Sequence, residues 1–196
     1  VGIRIHQTAM RQLVAERDER SARAAAAAIS EQLHHRESAI RDLALRLQDG
    51  TAPENVLQGA WYLLPDFDRG IAITDPGGEI LASSADAEAW RSLPLQPLIT
   101  SLTPGQAEFS DPFFDQGESM VMVGGRAENG AAAGVSSIRS LLRAAMLEVV
   151  GASGDSSAYL VDSAGNLLES VGPAPQQPNL LEHPGVVAAL RGEIGS

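Results

Sequence analysis

Ile71-Ala-Ile-Thr-Asp75-Pro-Gly-Gly78-Glu-Ile80-Leu81-Ala-Ser83 is a pattern that occurs twice in the chain. It returns without gaps as Ala158-Tyr-Leu-Val-Asp162-Ser-Ala-Gly165-Asn-Leu167-Leu168-Glu-Ser170. Each copy runs from an apolar segment to an Asp, then to a Gly, a polar residue, two apolar residues and a Ser. An Asp at a strand end accepts hydrogen bonds from the amides of its own turn, and the Gly supplies the positive φ of a tight reversal. Each copy therefore predicts a β-hairpin. Two copies, each following a helical stretch, predict two related modules.

Upstream, residues Ile5 to Gln48 contain no Gly or Pro and are rich in Ala, Arg, Glu, Gln and Leu, which predicts one long helix ended by Asp49-Gly50. Its apolar residues Ile29, Leu33, Ile40, Leu43 and Leu47 advance with the rhythm of a helix-packing seam, with Arg17, Arg20, Arg36 and Arg41 read as lying largely off it. A second helix is expected from Pro53 to Leu64, stopped by Pro65. After the first hairpin, Ala85 to Leu102 reads as two helical pieces broken at Pro94 and Pro97. Strands follow over Ala107 to Phe114, Ser119 to Gly124 and Ala132 to Ile138, then a helix from Ser140 to Val150 and a connector from Gly151 to Ser157. Beyond the second hairpin lie a loop with Pro173, Pro175 and Pro178 and a short helix from Val186 to Arg191. The expected organisation is a long N-terminal helix (1–50), a first module (51–139), a linker helix with connector (140–157) and a partial second module (158–196). The fold class is α+β.

Composition narrows the function. A net charge of −11 repels phosphate backbones and anionic lipid surfaces, so nucleic acid is not an expected partner. With no Cys there is no disulfide, thiolate metal site or cysteine nucleophile. No apolar run approaches the ~20 residues that span a bilayer, so the segment itself reads as soluble. Enzyme signals are poor: there is no Gly-x-Ser-x-Gly, and Gly77-Gly78 and Gly124-Gly125 read as turns, not phosphate loops. Glu31 and His35 have helical metal-clasp spacing but no further ligands. Asp66, Asp68, Asp111, Asp115 and Glu118 form a candidate acidic gathering for a cation, but they lack a calcium-loop pattern. No catalysis, metal or cofactor is expected.

The order of these features resembles the double Cache family of bacterial extracytoplasmic sensor domains, found in chemoreceptors, sensor histidine kinases and membrane-bound diguanylate cyclases. The resemblance rests on the long helix, both hairpins, Phe109-Ser110-Asp111-Pro112, Gly134-Val135 before the linker helix, and His183-Pro184. It implies a PAS-like module with a five-stranded antiparallel sheet and helices on one face, followed by a second, truncated one. It also implies an extracytoplasmic segment of a membrane-anchored receptor, with a sensor histidine kinase as the leading class. Amino-acid-binding members carry Arg-x-Trp-Tyr in the helix facing the pocket, where this chain has Ala89-Trp90-Arg91-Ser92.

Trp90 and Arg91 fall in the region that lids the pocket in PAS-like modules. Phe109, Asp111 and Phe113 alternate along one expected strand, and Met120 and Met122 along the next, so period two puts each set on one sheet face. The expected ligand site is Arg91 and Asp111 as polar anchors with Trp90, Phe109 and Met122 as walls, suited to a small molecule such as a carboxylate. A homodimer through the N-terminal helix is expected from the seam. The competing reading is a dimerisation or protein-interaction module with a degenerate pocket.

Overall fold

The computed structural model describes residues 2–149, 158–172 and 179–191. They form two compact units, residues 31–141 and residues 1–30 with 142–196. The connector expected over Gly151 to Ser157 and the loop with Pro173, Pro175 and Pro178 lie outside the described residues.

The long helix is continuous, α1 at Gly2–Gln48. Within residues 31–141, α2 (Pro53–Gly59) leads into a 3-10 helix (Trp61–Asp66) and then to the hairpin β1 (Ile71–Thr74) and β2 (Ile80–Ser83). Two short helices follow, α3 (Ala87–Arg91) and α4 (Leu95–Ser101). Strands β3 (Ala107–Phe109), β4 (Phe113–Asp115), β5 (Glu118–Arg126) and β6 (Ala131–Ser137) complete the unit and run into α5 (Ile138–Val149).

All pairings are antiparallel, in the order β2-β1-β6-β5-β3, with β4 also on β5. The sheet thus has five strand positions, the fifth shared by β3 and β4. One face packs on α1 through Ile40, Leu43 and Leu47, which meet Val56, Phe67, Ile71, Ile73 and Val123. The other face lies under α3 and α4, with Trp90, Leu95, Leu98 and Ile99 against Met120, Met122 and Val135. β1 alternates accordingly, Ile71 and Ile73 toward α1 and Ala72 toward α3 and α4.

Two helix boundaries differ from expectation. The predicted helix to Leu64 stops at Gly59, a weak helix former, and the chain tightens into the 3-10 turn, which holds Pro65 and leaves Trp61 and Tyr62 exposed. Pro94 separates α3 from α4, but Pro97 lies inside α4, in the first turn, where a missing N–H interrupts no helical bond.

The other unit holds the second hairpin, β7 (Ala158–Val161) and β8 (Leu167–Val171), and a short helix α6 (Pro184–Leu190). Leu142, Ala25 and Ile29 pack there with Leu160 and Val171. The two hairpins share the same pair of Asp-to-amide bonds at the turn. Asp75 Oδ1 accepts from the amides of Gly77 (2.9 Å) and Glu79 (2.8 Å), and Asp162 Oδ1 from those of Ala164 (2.8 Å) and Asn166 (2.9 Å). Gly78 and Gly165 take φ of 88° and 77°.

Candidate functional site

The residues proposed as a ligand site come from one edge of the sheet, from β5 beside it and from α3. Trp90 and Met122 are brought together: both are fully buried in the layer between the sheet and α3 and α4, beside Met120, Leu95, Leu98, Ile99 and Val135. The other three residues lie elsewhere. Arg91 is one step along α3 from Trp90, about 100° round the helix. Its side chain is 70% exposed and pairs with Glu88 on the same helix. Asp111 is exposed. Phe109 packs on the opposite face of the sheet, with the α1 cluster.

The displacement of Phe109 and Asp111 has one cause. Phe109 is opposite Val123 and Phe113 is opposite Met120, so the edge carries one residue more than β5 over the same span. That extra residue is accommodated at Ser110-Asp111-Pro112, where Pro has no N–H for the ladder. Ser110 takes up the slack: its amide donates to Met122 O (2.8 Å) and its Oγ accepts from Met122 N (3.1 Å). A one-residue bulge inverts the faces, so Phe109 and Phe113 are on opposite sides and Asp111 sits at the bulge. The expected alternation over Ala107 to Phe114 is corrected accordingly.

The layer under α3 and α4 contains two unpartnered polar atoms. Trp90 is 1% exposed, and its Nε1–H has no hydrogen-bond acceptor among the described residues. A buried donor without an acceptor is costly and uncommon in native proteins. Arg126 Nε is the second, although its Nη1 donates to Leu102 O (3.0 Å) and Ile99 O (3.3 Å), tying a cation to the C-terminal end of α4. Among the described residues α3 has no such tie: its hydrogen bonds are local, including the Asp86 side chain capping Glu88 N.

The acidic gathering is dispersed among protein partners. Arg69 lies 3.4 Å from Asp115 and 4.0 Å from Glu118. Asp68 Oδ2 accepts from Ser137 N and Ser140 Oγ, and Asp66 is paired with Arg36. Among the described residues there is no group of three or more His, Cys, Asp or Glu placed to hold a metal ion. No helix among them is long and apolar enough to cross a membrane.

Arg36 was read as lying off the helix seam, and that is corrected. It is 7% exposed and occupies the seam position between Leu33 and Ile40, where spacings of three and four meet. Burial lowers its pKa from the ordinary guanidinium value, opposed by the nearby charges of Asp66 and Asp68. The signal was present in the gap of seven between Leu33 and Ile40. The seam itself is occupied within the chain, Ile40, Leu43 and Leu47 against the sheet and Ile29 beside Ala25 and Leu142.

No family model and no curated protein matches the chain. Solved structures do. The ligand-binding domain of the amino-acid chemoreceptor PctC of Pseudomonas aeruginosa PAO1, in complex with GABA, aligns with a TM-score of 0.52 at 17% identity, covering 77% of this chain and 72% of that one. The periplasmic domain of LuxQ of Vibrio cholerae aligns with a TM-score of 0.49 at 14% identity, covering 84% of this chain and 82% of that one. The α+β arrangement of a long N-terminal helix beside an antiparallel, PAS-like sheet is therefore a fold this chain shares with the chemoreceptor domain.

Proposed function

We propose that the chain is the non-catalytic, extracytoplasmic sensing segment of a bacterial transmembrane receptor, a sensor histidine kinase being the leading class, and that it takes a small molecule between α3, α4 and the sheet. The single observation that carries this is the Trp90 indole N–H, buried without an acceptor in an apolar layer that includes two adaptable Met side chains. A ligand acceptor atom would satisfy that donor, and α3, tied down only by local bonds and by Trp90 itself, is the element that moves to admit it. The fold shared with a chemoreceptor domain that binds GABA supports the same reading. Because Arg91 projects away from this layer, a carboxylate is favoured less than a neutral ligand with one carbonyl or hydroxyl oxygen. Signal would leave through the first turn of α5.

The test is a thermal-shift panel of small polar metabolites followed by calorimetric titration of each hit against wild type and Trp90→Phe. The expected result is a hit whose affinity falls about tenfold in Trp90→Phe, the size of one hydrogen bond lost in a dry site. A panel without hits, or equal affinities, removes the reading.

The second reading, an interaction module with a closed pocket, is favoured by the exposed aromatic pair Trp61 and Tyr62, whose rings meet edge to face at 6.4 Å. A homodimer through α1 belongs to it. Its contact would run along the side of the helix that carries the exposed Leu45, since the seam is taken.

A further inference from the structure

Two donors from distant parts of the chain meet on one carbonyl. The main-chain oxygen of Asp66 accepts from Arg36 Nε on α1 (3.0 Å) and from Ser136 Oγ at the end of β6 (2.8 Å). Arg36 is otherwise committed to α1, its Nη1 donating to Gln32 O (3.2 Å), and its Nη2 lies 3.8 Å from Asp66 Oδ1. Two residues on, Asp68 Oδ2 accepts from Ser137 N (2.6 Å) and Ser140 Oγ (2.8 Å). Those donors belong to the start of α5, where Ser137 Oγ also caps Ser140 N (3.0 Å). The first amides of a helix have no partner within it, so Asp68 both satisfies a donor and places its charge at the favourable end of the dipole.

The intervening residues are held as firmly. Phe67 is buried against Gly134, where an added Cβ would come within 2.4 Å of its ring. Arg69 N donates to Val135 O (3.2 Å) and Val135 N to Gly70 O (3.3 Å). Residues 66–70 are thus a strap bonded on one side to α1 and on the other to the β6–α5 junction. Its bonds are short and directional and one of its partners is a buried cation, so it follows a displacement of either side or breaks.

We propose that this strap couples the first turn of α5 to α1 at Arg36. Movement of one is transmitted to the other through the Asp66 and Asp68 groups. The purpose of such a coupler rests on the sensor reading, but the coupling is a property of the ligand-free chain.

Hydrogen exchange by NMR on the full 196-residue chain tests it in both directions. In Arg36→Met the amides of Ser137 and Ser140 exchange about tenfold faster while those of Ala131 to Ala133, farther along β6, change less than about twofold. In Asp68→Ala, a change at an exposed residue that leaves Arg36 intact, the Arg36 Nε–H exchanges at least about fivefold faster, as reciprocal coupling requires. Unchanged exchange at Ser137 and Ser140 in Arg36→Met, an equal rise all along β6, or an unaffected Arg36 Nε–H in Asp68→Ala would each overturn the proposal. Should Arg36→Met not fold, the Asp68→Ala arm decides alone. No ligand is added, so these outcomes are separate from success or failure of binding at Trp90.

Discussion

Gly124 and Gly125 are sequence neighbours on β5 that open toward opposite faces of the sheet, and each makes room for a different helix. A Cβ on Gly125 would lie 3.0 Å from Ile40 O and 3.2 Å from Arg41 Cα, both backbone atoms of α1. For a Cβ on Gly124 the three nearest atoms would all be side-chain atoms of α4, from Leu98 and Ile99, at 3.0 to 3.1 Å. A backbone yields less readily than a side-chain end. Gly125→Ala is therefore expected to destabilise by about 1 to 3 kcal/mol, the usual range for overpacking, and Gly124→Ala by less. Urea denaturation of both variants checks the order; equal costs, or the reverse order, would mean that α1 does not press on β5 as described.

Arg91→Ala should change little. The Arg91–Glu88 pair is exposed on both sides, and such pairs contribute little to stability. Stability is expected to stay within about 0.5 kcal/mol of wild type and ligand affinity within about twofold. A tenfold loss of affinity in the same titrations would return Arg91 to the site.

The second hairpin carries a pH dependence of known sign. The Asp162 carboxyl is held below its ordinary value of 3.8, first by the side-chain hydrogen bond from Asn166, then by the Asn166 and Ala164 amides. Being depressed in the folded state, it contributes turn stability that is present above pH 3.8 and is lost as pH falls through the lower folded value. Amide shifts of Ala164 and Asn166 followed by NMR should titrate with a midpoint below 3.8, and Asn166→Ala should move that midpoint upward. A midpoint at or above 3.8 would contradict the bonding at this turn.

Association through α1, where it occurs, uses the exposed side of the helix. Sedimentation of wild type and Leu45→Glu at equal, stated concentrations checks this: loss of the dimer in Leu45→Glu supports that surface, and an unaltered dimer excludes it.

What was legible in the sequence was what is decided locally. The helix to Gln48 follows from the run Ile5 to Gln48 without a breaker, and both turns follow from an Asp and a Gly at fixed separation, so both emerged at the residues expected. The edge of the sheet was not legible in the same way. Its faces depend on how many residues oppose β5 between Phe109 and Phe113, and that count is a property of the pairing. Of the residues named for the site, Trp90 and Met122 share a layer, while Arg91 does not, because neighbours on a helix point in different directions. The strap at Asp66 and Asp68 joins residues some seventy positions apart, and only the buried Arg36 in the helix seam announced it.

A ligand atom that completes the Trp90 indole N–H is read directly on the indole proton. The chain has two Trp residues, so its indole N–H spectrum holds two signals, and Trp61→Phe assigns the remaining one to Trp90. On titration with a ligand found by the thermal-shift panel, the Trp90 indole proton should move downfield and saturate with the dissociation constant that calorimetry gives, as a newly formed hydrogen bond requires. A Trp90 indole signal that stays in place while calorimetry reports saturation would show that the ligand does not bond to Trp90.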